Sequence, residues 1–472
     1  MSKRDGLGWA VCCGVLWAGF AVAQEPVNRR RTETLLAPFP AEVHDSAVLS
    51  PDARHVAYVR VADGGQTVVV DGKAQKSYAK IDALSFSPDS KRLAYAALRG
   101  GKWFVATGEG EAGPYERVGP PVFSPDGKRL AYVVLLPGGQ RSVVVNNQPG
   151  EPCDLVFEGR IVFSPEGARM AYGAQKQDGW YLIVEEQQFG PFAFLGSATG
   201  FRFSRDGKRL AFAAMTGDKR WRMVVDGKPL DAHDNLADAV FSPDGTRLAY
   251  AACDGGKWRV IAGQQEHTPF DAIGAETLQF SPDGARLAYA VQSGETWRVV
   301  LDGKPEKPYD GIADIVFSPN GQSLAYAARL GETERVVLDG REQRAFDRIG
   351  GGSLVFSPNS RRLGYIARVG RARSAVIDGN RKRRYDMVGY LNFSPDSRYF
   401  LYAAIGLRTP DHPPGAPPQR KAFSVVDEKE SAVAYDAIWN VRGGRIMFTP
   451  PKKFYYLAVK DGSIFVVEEE VE

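Results

Sequence analysis

A tetrad, Phe-Ser-Pro-Asp or a near variant of it, returns along this chain at a period that limits the possible folds more than any other feature. Copies stand at Phe86, Phe123, Phe163, Phe203, Phe241, Phe280, Phe317, Phe356 and Phe393. Leu49-Ser50-Pro51-Asp52 is a first copy without the aromatic, and Phe448-Thr449-Pro450 is a degenerate last one. These are eleven copies, and successive anchors from Leu49 to Phe393 lie 37 to 40 residues apart. A repeat of roughly 20–50 residues dictates architecture, because one unit cannot bury its apolar face and must stack on the next.

The unit at 315–347 shows what each part does. Ile315-Val316-Phe317-Ser318 is a short apolar run that reads as a buried strand. Pro319-Asn320-Gly321 supplies a turn, with proline fixing φ and glycine accepting positive φ. Leu324 to Ala328 and Arg335 to Leu338 are two further strands, the latter ended by the hairpin pair Asp339-Gly340. A weaker fourth strand runs towards Phe346-Asp347. Four short antiparallel strands per copy, with no helical period between them, predict an all-β fold: a β-propeller of eleven four-stranded blades. Rings usually hold about four to eight blades, so the expectation is two tandem propellers, over 24–240 and 241–472, with one large ring as the alternative. The last copy lacks a fourth strand, which residues 32–39 are placed to supply.

The FSPDGKRLAYAA-type core, seen at 123–133 and 203–214, resembles the WD40-like propeller repeat of the TolB-type bacterial proteins. The likeness spans about residues 40–470. It implies the fold and leaves the function open, since such repeats serve many roles. The separate α/β domain of that family has no counterpart between Gln24 and Leu49. The repeated ending Asp302-Gly303-Lys304 to Tyr309-Asp310 also differs. A role in the Tol–Pal envelope system therefore does not follow.

The first residues, Met-Ser-Lys-Arg, an apolar run over 7–23 and the closing Ala21-Val22-Ala23 read as a signal peptide over 1–23, cleaved before Gln24. The expected location is periplasmic or secreted. No later segment is long and apolar enough to span a membrane. Beyond Cys12 and Cys13 in the apolar run, only Cys153 and Cys253 remain, too few for a disulfide scaffold. A net charge of +4 over 472 residues selects no partner by itself.

Chemistry-bearing motifs are sparse. His44, His55, His233, His267 and His412 form no ligand spacing of the kind zinc sites use. His233-Asp234 and Cys153-Asp154 occupy the slot of Tyr309-Asp310, Phe346-Asp347, Tyr385-Asp386 and Tyr435-Asp436, so both read as structural. Gly196-Ser197-Ala198-Thr199-Gly200 lacks the spacing of a nucleophile elbow. The recurring Asp89, Asp126, Asp206, Asp244, Asp283 and Asp396 read as turn caps. The recurring arginines, such as Arg92, Arg129 and Arg209, read as their ion-pair or carbonyl partners. Trp103, Trp221, Trp258 and Trp297 open third strands and read as packing.

Copy nine departs from the repeat. Arg361, Arg362, Arg368, Arg371, Arg373, Arg381, Lys382, Arg383 and Arg384 crowd there, with Asp378 the only acid between 361 and 385. Arg361, Arg362, Arg381, Lys382, Arg383 and Arg384 fall on one face and form the candidate binding site for an anionic partner. Arg368, Arg371 and Arg373 fall on the other. The proline-rich stretch 407–419 is the second unrepeated feature. The reading is a non-catalytic scaffold without cofactor or metal, binding a protein or an anionic envelope polymer rather than nucleic acid. The alternative is a hydrolase or lyase acting on glycan or peptide at a propeller mouth.

Overall fold

The computed structural model describes residues 28–38, 46–62, 64–157, 161–196, 200–408, 419–439, 446–449 and 452–471. The expected export signal, His44, His412, residues 197–199 and the bulk of the proline-rich stretch (409–418) lie outside the described residues.

The repeated tetrad folds into a self-capping turn. In copy three the Ser124 hydroxyl donates to Asp126 Oδ1 (2.6 Å) and accepts the Arg129 N–H (2.9 Å). Gly127 N–H closes the turn on the Ser124 carbonyl at 2.8 Å. Gly127 takes φ 71°, where a side chain is disfavoured. The serine is fully buried in copy after copy, including Ser87, Ser164, Ser281 and Ser357. Such a buried hydroxyl must be satisfied locally, and the Asp and the following backbone do so.

Each turn joins the first two strands of a blade. In blade eight, Gly311–Phe317 pairs with Leu324–Leu330, then Thr333–Leu338, then the short Arg341–Glu342. The described residues thus form eleven sheets of four positions, the inner strand being split into two short pieces in six of them. First strands of neighbouring blades touch, as Val48–Leu49 does Lys80–Phe86 and Val355–Phe356 does Met387–Phe393. Fourth strands lie outermost and exposed. The inner strands therefore line the axis.

The core consists of inter-blade layers. Val143 of blade three packs with Tyr172 of blade four, Met223 of blade five with Tyr250 of blade six, and Leu401 of blade ten with Tyr456 of blade eleven. Leu457 and Ile464 of blade eleven pack in turn with Val56 and Val69 of blade one. The sheets form one closed circuit. This corrects the expectation of two tandem rings: no break falls at 240/241, where the Met223–Tyr250 layer is continuous, nor in the divergent stretch before it. The outer strand of blade eleven is Arg29–Pro38, antiparallel to Ser463–Val471. Arg29 pairs with the buried Glu469 (2.8 Å), which also accepts from Ser424 of blade ten and from Tyr456 (2.6 Å each).

Two recurring staples join neighbouring blades. On the tetrad face, the repeated arginine lies over the anchor phenylalanine of the next blade. Arg169 over Phe203, Arg209 over Phe241 and Arg362 over Phe393 are each 5.2 Å from the ring centroid. Arg209 also donates to the next turn at the Gly245 and Thr246 carbonyls (3.1 and 2.9 Å) and pairs with Asp226 (3.1 Å). On the opposite face, the aromatic–Asp slot does the equivalent work. Tyr309 stands edge-on to Tyr326 of the next blade (6.2 Å), and Asp310 caps the next hairpin through Gly331 N–H (2.6 Å).

Arg209→Ala removes stacking, two carbonyl bonds and an ion pair together. We expect it to lower stability by about 1–3 kcal/mol in urea unfolding. Lys208→Ala, at a neighbouring exposed position, should stay within about 0.5 kcal/mol. Equal effects would contradict the staple.

Candidate functional site

The structure does not assemble the six predicted residues into one site. Arg362 is spent on the staple: its Nε pairs with Asp378 at 3.0 Å. Lys382 pairs with Glu428 (2.6 Å) and Arg383 with Glu430 of the next blade (3.1 Å). Arg383 stands where Lys307 stands in blade seven, whose partner is Glu342 (2.6 Å). Arg361 and Arg384 are exposed, and Arg381 is half-buried at the end of the outer strand Asn380–Arg381. Ion pairs occupy half of this patch.

The unrepeated charge lies on the other face. Arg348 on the inner strand of blade nine is the direct cross-strand partner of Arg368, and Arg368 that of Arg373. Three arginines thus stand side by side on adjacent strands. Like charges directly opposite one another destabilise a sheet. Other blades avoid this: the same row reads Lys80, Leu98, Trp103 in blade two and Ala272, Gln292, Trp297 in blade seven. Arg373 holds the position that five blades give to tryptophan, including Trp180, Trp221 and Trp258.

These arginines line a cleft of about 840 Å³ beside the axis. Its floor is the glycine run 350–352, which splits the inner strand of blade nine. Gly350 N–H binds the Ile366 carbonyl (2.8 Å), and Gly352 N–H binds Asp314 of blade eight (2.7 Å). Burial pushes the Asp314 carboxyl above the usual carboxylate range. The far wall is the inner strand of blade ten, bulged at Tyr390 with φ 59°. Glu334 is the one acid among the described lining residues. It is already engaged by the Ile349 N–H (2.7 Å) and by Arg348 (3.6 Å). The cleft is therefore a recess with excess guanidinium, suited to bidentate contacts with carboxylate or phosphate.

The slot residues behave as structure. His233 donates its Nδ1–H to the Asp254 carboxylate (2.7 Å) and stands edge-on to Tyr250, as the slot tyrosines do in other blades. Asp234 caps Gly255. Cys153 and Cys253 are both free and buried, and burial pushes the Cys153 thiol up to about 11, which keeps it unreactive. Among the described residues no cluster of His, Cys, Asp and Glu is placed to hold a metal. No helix among them is long and apolar enough to cross a membrane.

Sequence reasoning identified Arg368 and Arg373 as basic but set them aside as being on the wrong face. It missed Arg348, 20 residues upstream. The signal was there: Arg348 follows Asp347 of the slot, as Gly311 follows Asp310, and register places all three in one row.

No known family profile matches the chain, and no curated protein matches it. Among solved structures, similarity is found to a eukaryotic initiation factor at 14% identity, covering 73% of this chain and 96% of that one, with TM-score 0.39. TolB from Acinetobacter baumannii is similar at 17% identity over 53% of this chain and 77% of that one (TM-score 0.24). The Dos1 propeller is similar at 14% identity over 71% and 91% (TM-score 0.30).

Arg368→Leu copies the residue that blades two and three carry, Leu98 and Leu135. Without ligand it should raise stability by about 0.2–1 kcal/mol at low salt. The gain should shrink as salt screens the row. A loss of stability in urea titrations would contradict the repulsion described.

Proposed function

We propose that this chain is an exported, non-catalytic propeller whose blade-nine cleft binds an anionic polymer of the cell envelope. The observation that carries this is the in-register row Arg348, Arg368 and Arg373, a destabilising arrangement that a bound anion would relieve. The glycine floor adds close backbone approach. Support for binding rather than hydrolysis comes from the lining, where paired acids flanking a scissile bond have no counterpart beside Glu334 among the described residues. A recess between inner strands admits an extended chain more readily than the convex surface of an acidic protein.

The test uses the purified protein and polygalacturonate, a carboxylated polysaccharide, in titration calorimetry. Binding should weaken with salt. Arg368→Gln combined with Arg373→Gln should weaken it tenfold or more, each lost charge-assisted bond being worth about 1.5–3 kcal/mol. Unchanged affinity in the double variant would overturn the assignment. Steady release of shortened chains would favour the alternative, a hydrolase or lyase.

A further inference from the structure

We infer that the ligand is one long acidic polysaccharide chain that follows the inner rim of the ring and is held at two basic clefts, in blades nine and three. This rests on the blade-nine reading above and extends it.

A second cleft, of about 530 Å³, lies around the inner strand of blade three. Its lining repeats three positions of the first, although its other wall is the preceding blade two where the first cleft has the following blade ten. Arg117 stands for Arg348 and Arg141 for Arg373, each the first or third member of the same cross-strand row. Gly119 stands for Gly350, and its N–H binds the Val133 carbonyl at 2.8 Å as Gly350 binds Ile366. Where the first cleft has Glu334 of the preceding blade, the second has Trp103. Lys80 adds a third cation, its ammonium 5.8 Å from the Trp103 ring, and Asp82 is the one acid among the described lining residues.

The blades between carry no comparable charge. The row reads Leu155, Gln175, Trp180 in blade four and Phe194, Met215, Trp221 in blade five. Blades six and seven follow with Trp258 and Trp297. In blade eight the same row holds Arg329, matched by its cross-strand partner Glu334, so a row with two or more arginines at this level occurs in two sectors, blades three and nine, nearly opposite in the ring. With sheets about 10 Å apart, eleven blades place such sectors on the order of 30 Å apart. A small anion reaches one; a chain reaches both and gains by effective concentration.

The arc between them favours sugar over peptide. Phe194 is 39% exposed and stands edge-on to both Trp180 (5.8 Å) and Trp221 (6.2 Å). Phe157 stacks flat on Trp180 at 4.3 Å. Phe194, exposed at the level of the basic clefts and backed by these rings, offers an apolar face to pyranose units that carry carboxylates at intervals.

The experiment compares trigalacturonate, long polygalacturonate and poly-L-glutamate of similar length on the full chain. The long polysaccharide should bind about 10²-fold tighter than the trisaccharide. Arg117→Gln should bring polymer affinity towards that of the trisaccharide and reduce the number of trisaccharides bound per chain from two to one. Phe194→Ala should weaken the polysaccharide and not poly-L-glutamate. Equal affinity of trimer and polymer, or a silent Arg117→Gln, overturns the two-cleft path while leaving the blade-nine site intact. Trisaccharide binding that ignores the double substitution at Arg368 and Arg373 overturns the blade-nine site itself. Poly-L-glutamate binding as tightly as the polysaccharide, with Phe194→Ala silent, overturns the sugar and favours an acidic protein.

Discussion

A guanidinium laid across the anchor phenylalanine of the next blade is the contact on which the ring depends. A four-stranded sheet has two apolar faces and no means of covering either alone. The staple fixes how far the next sheet is rotated, because one arginine touches the aromatic ring, the turn carbonyls and a carboxylate at once, as Arg209 does. The aromatic–Asp slot fixes the same rotation on the opposite face. Two staples on opposite edges leave little freedom in the angle between sheets. Repetition of that angle closes the ring, and the Arg29–Glu469 pair with its Ser424 and Tyr456 partners seals it.

Function sits where the repeat is broken. A side chain present in most blades is held by the blade, which is why the tetrad acids and arginines, His233 and half of the copy-nine cations have structural partners. Arg348, Arg368 and Arg373 replace neutral or aromatic neighbours at positions where the fold needs no charge. Their row opposes folding stability, and under the proposed function an anion bound in the cleft compensates for it.

Much of this fold was legible in the chain. The anchors from Leu49 to Phe448 give blade number, and the strands of the 315–347 unit fall where apolar runs and the Asp339-Gly340 turn place them. Ring number was not legible. It depends on the rotation per blade, set by staple geometry that spacing alone does not encode, and typical ring sizes pointed to two. The candidate site was half legible. Charge density singled out copy nine, but which cations are neutralised depends on the next blade: Lys382 meets Glu428 and Arg383 meets Glu430, both more than 40 residues onward. Likewise Arg348 joins Arg368 only through strand register.

The closed circuit of eleven blades is the claim from which the rest follows, including the near-opposite placement of the two basic clefts. Electron cryo-microscopy of the isolated protein, viewed down the ring axis, tests it directly. The predicted result is a single annulus of eleven radial sheets with Arg29–Pro38 on the outside of the last. Two smaller discs joined near residue 240 would contradict it.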